Sequence, residues 1–303
     1  MKKAFTMLEL VMVMVIMGII ASIGADIIAS MYSNYLRSRT INRLESQTEI
    51  TLEQIAKRLQ YRIKESTIAR SSSDNAFLAI PSYDGTQLKY NSLEWIGYSN
   101  ESFLGNPQPG WSGFIDLDSI ENNSSSGNQR LKTSESNLTY AEEIIFALTN
   151  GDINITNQDA GLIFKGKASN VEDFCWRDSG SNINTPSDSV ITVRKASDTL
   201  FQLTEDVSEI YEQYYLAHTA YAIVPEGNIT AMDYNLTLYY NYQPWLGEDY
   251  NTSGTPTTPL AEHVSLFRFK QDDTILQLKL CLHDNNETGV GERIVICKEK
   301  VVY

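Results

Sequence analysis

A single carboxylate, Glu9, lies inside an apolar stretch near the start of this 303-residue sequence. From Phe5 to Ala25 every residue is apolar or small except Thr6, Glu9 and Ser22, and about 20 such residues are enough for a helix to cross a bilayer. A carboxylate within a spanning helix costs on the order of 3 kcal/mol, so it is expected to be paired or to serve a function. The chemistry predicted at Glu9 is therefore charge pairing, with a partner that the segment itself does not supply.

The residues around this acid occur in a recognisable order. The sequence Lys2-Lys3-Ala4-Phe5-Thr6-Met7-Leu8-Glu9, followed by a long apolar run, resembles the class III signal of type IV prepilins and of the pseudopilins of type II secretion. In that family the prepilin peptidase cuts just before the Phe and methylates the new amino group. The resemblance implies cleavage between Ala4 and Phe5, N-methylation at Phe5, and filament assembly through Glu9, which would pair with the N-terminal amine of a neighbouring subunit.

Two residues depart from the family pattern. Ala4 stands where the family usually has Gly, and Asp26 stands where many major pilins carry a helix-kinking Pro. The second departure favours a minor pilin or pseudopilin over a major pilin. An ordinary secretory signal ending at Ala25 and a plain membrane anchor are the alternatives, but a secretory signal has an apolar core of about 7–15 residues and Glu9 at its start argues against one.

Positive charge predicts the orientation of the segment. Lys2 and Lys3 precede the apolar run, and no basic residue recurs before Arg37. Positively charged residues stay on the cytoplasmic side of a membrane. We therefore expect a single-pass protein of the inner membrane with a cytoplasmic N-terminus and a periplasmic head, which would be extracellular in an assembled filament.

Other residue patterns do not make a catalytic centre. The histidines His218, His263 and His283 have no metal-ligand spacing,. Residues 110–113 lack the outer spacing of a nucleophile elbow, and residues 289–291 lack the third glycine of a dinucleotide fingerprint. We expect no enzyme activity, no cofactor and no metal site.

Acidic residues dominate the region after the first seventy residues. The net charge of −14 divides into zero for residues 1–36, +4 for residues 37–70 and −18 for residues 71–303. A head this acidic repels phosphate backbones, so nucleic acid is not an expected partner. The acidic stretches Asn150–Asn154 and Asp284–Glu287 could offer oxygens to calcium, but neither has the spacing of a calcium loop, and solvated turns are expected.

The three cysteines form no Cys-x-x-Cys pair,. Apolar and polar residues alternate from Leu276 to His283, and Arg293 to Val302 is predicted to be the return strand of a hairpin. A hairpin centred near residue 289 has three pairs in register, namely Cys281 with Cys297, Lys279 with Glu299 and His283 with Val295. Export favours a disulfide between Cys281 and Cys297, with two reduced thiols as the alternative, and leaves Cys175 as a buried thiol.

One pentapeptide pattern recurs more often than composition predicts. An acid two places before an Asn and a Ser or Thr two places after it occur around seven of the 22 Asn residues. The pattern resembles the extended sequon of bacterial N-glycosylation, and Asn-x-Ser/Thr marks an exposed acceptor in an exported protein. The alternative is an accidental match on an acidic, Asn-rich surface. The candidate sites are Asn123, Asn137, Asn154, Asn228, Asn235, Asn251 and Asn286.

The elements that position these residues are one long helix and a set of strands. Apolar residues recur at spacings of three or four from Ile41 to Ile63, and no Pro occurs between Phe5 and Arg70,. The pattern predicts a helix of up to about 65 residues, near 100 Å long; the alternative is a break near Ser33. A short helix is also expected over Glu205–Ala217.

Strands are predicted wherever short β-branched and aromatic runs lie between turn residues. Residues 100–128 and 248–259 are expected to be loops. The pattern indicates an α+β fold with an antiparallel sheet, which the resemblance makes pilin-like. The predicted strands are Leu88–Tyr90, Ile144–Leu148, Leu162–Phe164, Thr219–Val224, Asn235–Tyr240, Val264–Lys270 and Ile275–Leu282, besides the return strand of the hairpin.

These predictions give a domain plan and a function. Residues 1–4 are a leader peptide, 5–30 the transmembrane part of the helix, 31–70 its amphipathic part and 71–303 a β-rich head. The expected function is a structural subunit of a type IV pilus or type II secretion filament. Its expected partners are the prepilin peptidase, other pilin or pseudopilin subunits and the inner membrane. The alternative is a membrane-anchored binding protein or enzyme with a prepilin-like anchor.

Overall fold

A long helix and a large antiparallel sheet make up the protein. The computed structural model describes residues 6–123, 128–167, 169–177, 189–285 and 293–303. The helices are α1 (Met7–Leu59), α2 (Asn100–Phe103) and α3 (Leu138–Leu148). The strands are β1 (Ile68–Arg70), β2 (Phe77–Ala79), β3 (Ser92–Tyr98), β4 (Glu121–Asn123), β5 (Asn128–Lys132), β6 (Ala160–Phe164), β7 (Ile191–Ser197), β8 (Leu200–Leu203), β9 (Tyr214–Asn228), β10 (Asp233–Tyr242), β11 (Thr257–Asp272), β12 (Ile275–His283) and β13 (Val295–Val302).

All strand pairings in the described residues are antiparallel. The strand order along the main path is β13-β12-β11-β10-β9-β6-β7-β8-β5-β4, and β1, β2 and β3 join beside it, with β3 pairing to β9. The α+β class with a long N-terminal apolar helix on an antiparallel sheet is therefore confirmed. The order β10 to β13 follows the chain, because each of these strands is joined to the next by a hairpin connection.

The C-terminal half of α1 forms part of the hydrophobic core. Thr40, Leu44, Thr48, Thr51, Leu52, Ile55, Ala56 and Leu59 are its buried residues. They pack against β10 to β13 and β3, where the alternating leucines of β12 face the helix. Burying an apolar side chain of this size stabilises the fold by roughly 1.5–3 kcal/mol. The C-terminal half of the helix and the sheet therefore share one hydrophobic core.

The helix ends earlier than the periodicity predicts. It has 53 residues and is capped at Gln60, which makes it roughly 80 Å long. The predicted continuation to Arg70 is wrong because Ile63 donates its N–H to Ile96 O (2.8 Å) and Ile68–Arg70 pairs with both β2 and β3. Ile63 is buried as its spacing suggests, but it is buried from an extended backbone. The alternative break near Ser33 does not occur, since α1 is continuous there.

Three local predictions are also wrong. Leu88–Tyr90 is a turn. Ile144–Leu148 belongs to α3, whose start is capped by Asn137 accepting from Tyr140 N (3.0 Å); a short apolar run fits a strand or a buried helix equally well. The helix expected over Glu205–Ala217 is absent, and strand β9 begins at Tyr214.

Other predicted elements are confirmed with extended bounds. Leu162–Phe164 lies in β6, Thr219–Val224 in β9, Asn235–Tyr240 in β10, Val264–Lys270 in β11 and Ile275–Leu282 in β12. The predicted loop over residues 100–128 also contains α2 and β4, and that over 248–259 gives way to β11 at Thr257.

Candidate functional site

The first turn of α1 holds Glu9 in a network with Thr6. Thr6 is the N-cap: its hydroxyl oxygen accepts from Glu9 N (3.3 Å), while Thr6 N and Thr6 Oγ1 donate to Glu9 Oε2 at 3.1 and 3.0 Å. This reciprocal arrangement is a capping box, which satisfies N–H groups left over at a helix start. Both donors belong to the segment itself, but neither is a cation. The charge partner predicted for Glu9 therefore stays a prediction.

The capping box was readable from the sequence. Thr6 and Glu9 have the Ser/Thr-x-x-Glu/Gln spacing that marks a helix start, and the spacing predicts a helix beginning just after Thr6. The predicted cleavage and methylation residues, Ala4 and Phe5, lie outside the described residues.

The N-terminal half of α1 projects away from the head. No residue of α1 before Thr40 is buried, and large apolar side chains are exposed along its length from Met7 to Tyr35. This half of the helix is long and apolar enough to be a single membrane span by length and composition,. A large exposed apolar surface marks a site of interaction with a membrane or another protein. The same continuous helix carries core residues of the head in its C-terminal half.

Polar residues mark the place where the helix enters the head. Arg37, Arg39 and Arg43 are exposed there. One turn further on, Lys298 of β13 donates to Glu49 Oε2 (2.9 Å), and this hydrogen bond raises the pKa of Lys298 and lowers that of Glu49.

A second ion pair continues this contact, since Lys300 donates to Glu53 Oε2 (2.5 Å). These side chains are partly exposed, so each pair contributes little to stability. Glu49 and Glu53 lie on successive turns of α1, and Lys298 and Lys300 are alternate residues of β13. The two ion pairs therefore match the position of the helix along the strand.

The C-terminal hairpin has the predicted register. Cys281 is paired with Cys297, Lys279 with Glu299 and His283 with Val295. Cys281 and Cys297 form a disulfide, and Lys279 Nζ donates to Glu299 Oε1 at 2.8 Å. Cys175, expected to be a buried thiol, is buried.

Two of the three histidines come together around an aspartate. His263 Nδ1 lies 3.1 Å and His283 Nε2 lies 3.2 Å from Asp233 Oδ1. His218 lies elsewhere, wholly buried in β9, where burial lowers its pKa to about 4. The spacing of the histidines along the chain did not predict this cluster, because the spacing of a metal motif such as His-Glu-x-x-His applies to ligands on one helix. His263 and His283 lie on different strands.

The hairpin offers a signal that could have found it: His263 and His283 are equally far in sequence from the β11–β12 turn at Asp273. Residues 110–113 and 150–154 lie in turns and loops as expected, whereas residues 286–287 and 289–291 fall outside the described residues.

The candidate glycosylation sites differ in accessibility. Asn228, Asn235 and Asn251 are exposed. Asn137 and Asn154 are half-buried, and their side-chain oxygens accept backbone N–H bonds from Tyr140 and Thr156 at helix starts. Asn123 lies in β4. Asn286 is outside the described residues.

No protein-family model, no curated protein and no solved structure matches this chain.

Proposed function

We propose that the protein is a minor pilin or pseudopilin, a structural subunit of a type IV pilus or type II secretion filament. The observation that carries the proposal is the free half of α1: an apolar helix with no buried residue before Thr40, beginning at a carboxylate, on a helix that continues into the head. Such a surface requires a bilayer before assembly and other apolar helices after it.

In this mechanism the inner membrane holds the precursor with its N-terminus in the cytoplasm and its head in the periplasm. The prepilin peptidase cuts between Ala4 and Phe5 and methylates the amine of Phe5. The helix then leaves the lipid by packing against the helices of other pilin or pseudopilin subunits. Glu9 sets the axial register, because a neighbour in the wrong register leaves a charge buried without a partner.

Two variants separate the charge of Glu9 from its capping role. Gln can replace Glu in a capping box, so Glu9→Gln keeps the helix start and removes the charge. Thr6→Ala keeps the charge and removes the hydroxyl that caps Glu9 N. We expect Glu9→Gln to be cleaved normally but excluded from filaments, and Thr6→Ala to be incorporated at a level close to wild type.

The measurement is the amount of each variant in sheared filaments relative to the membrane fraction, with cleavage followed by the mobility of the mature chain. Normal incorporation of Glu9→Gln would refute the pairing role. Equal loss for both variants would show that incorporation depends on the Thr6 cap as much as on the charge of Glu9, and would contradict the expected behaviour of Thr6→Ala.

The competing function, a membrane-anchored binding protein or enzyme, makes a different prediction for the same fractions. Such a protein would be processed yet remain as membrane-bound monomers, and it would not copurify with pilus or secretion subunits.

A further inference from the structure

Asp233, His263 and His283 present three ligand atoms to one point. The two histidine nitrogens lie 3.1 and 3.2 Å from Asp233 Oδ1, and all three atoms lie within 4.8 Å of one another. Ligands bound at 2.0–2.1 Å in a tetrahedral site are separated by about 3.3 Å. Two of the three separations therefore already match a shared metal ion.

Hydrogen bonding fixes which nitrogen of His283 is available. Its Nδ1 lies 2.8 Å from the carbonyl oxygen of Asp284, so Nδ1 carries the proton and donates it. In the neutral ring Nε2 then has a lone pair, and this lone pair faces the carboxylate of Asp233. A ring N–H donated to a backbone carbonyl is the usual support for a histidine that binds a metal through its other nitrogen.

Arg293 supplies the positive charge between these two acceptors. Its Nη2 donates to His283 Nε2 and to Met232 O at 3.1 Å. Two lone pairs that face each other repel unless a cation lies against them. The guanidinium of Arg293 fills that role here, and a metal ion bound at the same nitrogen would have to displace it.

The sheet holds the three ligands on three adjacent strands. Asp233 begins β10 and His283 ends β12. His263 lies in β11 with φ of 55°, next to irregular pairing between β10 and β11. A positive φ is uncommon for a residue with a side chain and stores backbone strain. Such a conformation persists only where the surrounding structure holds it in place. At His263 it occurs in the residue whose ring Nδ1 faces Asp233.

The cluster is open on one side. His283 is 3% exposed, whereas the side chains of His263 and Asp233 are 33% and 47% exposed. A surface cavity of about 410 Å³ lies beside the two histidines and extends to Leu44 of α1. A bound ion would therefore retain a position for water or a fourth ligand and would lie close to the point where the helix enters the head.

We propose that Asp233, His263 and His283 bind a divalent transition metal of the zinc class, which displaces Arg293 and links β10, β11 and β12. Two imidazoles and one carboxylate are ligands that zinc, cobalt and nickel accept, whereas calcium requires six to eight oxygen ligands. The metal would strengthen the part of the sheet on which α1 packs.

The first experiment titrates Zn²⁺ into the full chain in detergent, in competition with a chromophoric chelator, and follows thermal unfolding. We expect one Zn²⁺ per chain and a higher Tm, with no shift on adding Ca²⁺. Co²⁺ in place of Zn²⁺ should give visible absorption bands of nitrogen–oxygen ligation. Absence of binding, or an equal response to Ca²⁺, would overturn the proposal.

Matched variants assign the ligands. His263→Ala and Asp233→Asn alter partly exposed side chains, and each should weaken Zn²⁺ binding by more than about 100-fold, the upper end for loss of a supporting group. Arg293→Gln removes the competing cation and should tighten binding. His218→Gln, the control, should leave it unchanged.

Retention of wild-type affinity and of the Co²⁺ bands in His263→Ala would overturn the proposal, as would weaker binding in Arg293→Gln. The Tm of each variant without metal shows that it is folded.

Discussion

Two titratable side chains, Glu94 and His218, are buried in the head and differ in their hydrogen-bond partners. Burial raises the pKa of Glu94, but two contacts oppose that shift: Arg70 Nε donates to its Oε2 and Tyr242 Oη donates to its Oε1 at 2.7 Å. This charge pair ties β1 to β3 and β10. His218 has no such compensation: among the described residues its Nδ1 has no hydrogen-bond partner, and burial lowers its pKa to about 4. A buried charge is tolerated only where a partner is built in, so His218 is held neutral.

His218 therefore makes stability depend on pH. The pKa of the ring is about 4 in the folded state and about 6.5 in the unfolded chain, so the unfolded state binds the extra proton first as pH falls. Between pH 7.5 and pH 5 this one group should lower the free energy of unfolding by about 2 kcal/mol. Urea unfolding of wild type and His218→Gln at both values checks it. The variant should lose about 2 kcal/mol less, and parallel losses would contradict the assignment.

At the scale of elements, α1 is one helix with two environments. Its C-terminal half buries Leu44, Leu52, Ile55 and Leu59 in the core, while its N-terminal half contacts no part of the head. The residues of α1 that stabilise the head are therefore separate from those that form its exposed apolar half. The ion pairs with β13 lie only on the C-terminal half.

Truncation tests this division. Deletion of residues 1–35 removes no buried residue, so we expect a soluble head whose Tm equals that of the full chain in detergent. Deletion of residues 1–47 also removes Thr40 and Leu44 and should lower the stability by 2–5 kcal/mol, the usual loss for one large core side chain. Thermal and urea unfolding of both truncated chains provides the comparison. A marked loss of stability in the shorter deletion would show that the free half supports the head.

Sequence patterns predicted some elements better than others, for physical reasons. The register of the β12–β13 hairpin was predicted correctly, because strand alternation, two cysteines and an opposite-charge pair all demand the same register, although β13 begins at Val295 and not at Arg293. The end of α1 was not predicted correctly, because Ile63 satisfies the helical period yet its backbone bonds to β3. The triad at Asp233 was missed because its residues meet only through the pairing of β10, β11 and β12. The β11–β12 hairpin could have indicated that the two histidines meet, but no pattern along the chain indicates that Asp233 of β10 joins them.

At the scale of the whole molecule, an acidic head follows an apolar helical segment that has no net charge. Residues 71–303 carry a net charge of −18 while residues 1–36 carry none. Acidic heads repel one another, which keeps them soluble and apart. In the proposed filament, the attraction between copies would therefore come from the N-terminal half of α1, where the exposed apolar side chains and Glu9 lie.

The exposed sequons predict that this acidic surface is also modified. Asn228 and Asn251 are exposed in or beside turns and Asn235 is exposed on β10, so we expect glycans on these three in the native host. Asn228 Oδ1 also accepts from a backbone N–H, that of Ala231, but Asn137 and Asn154 are in addition half-buried and should carry less. Peptide mass spectrometry of the native protein measures the occupancy of each site. Unmodified peptides at all three exposed sites would contradict the prediction.

The most direct test of the whole account is the N-terminus of the mature protein, read by mass spectrometry of its first peptide after purification from native membranes. The account predicts a chain that begins at Phe5 and carries one methyl group on its amine. A chain that retains residues 1–4, or one that begins after Ala25, would contradict it.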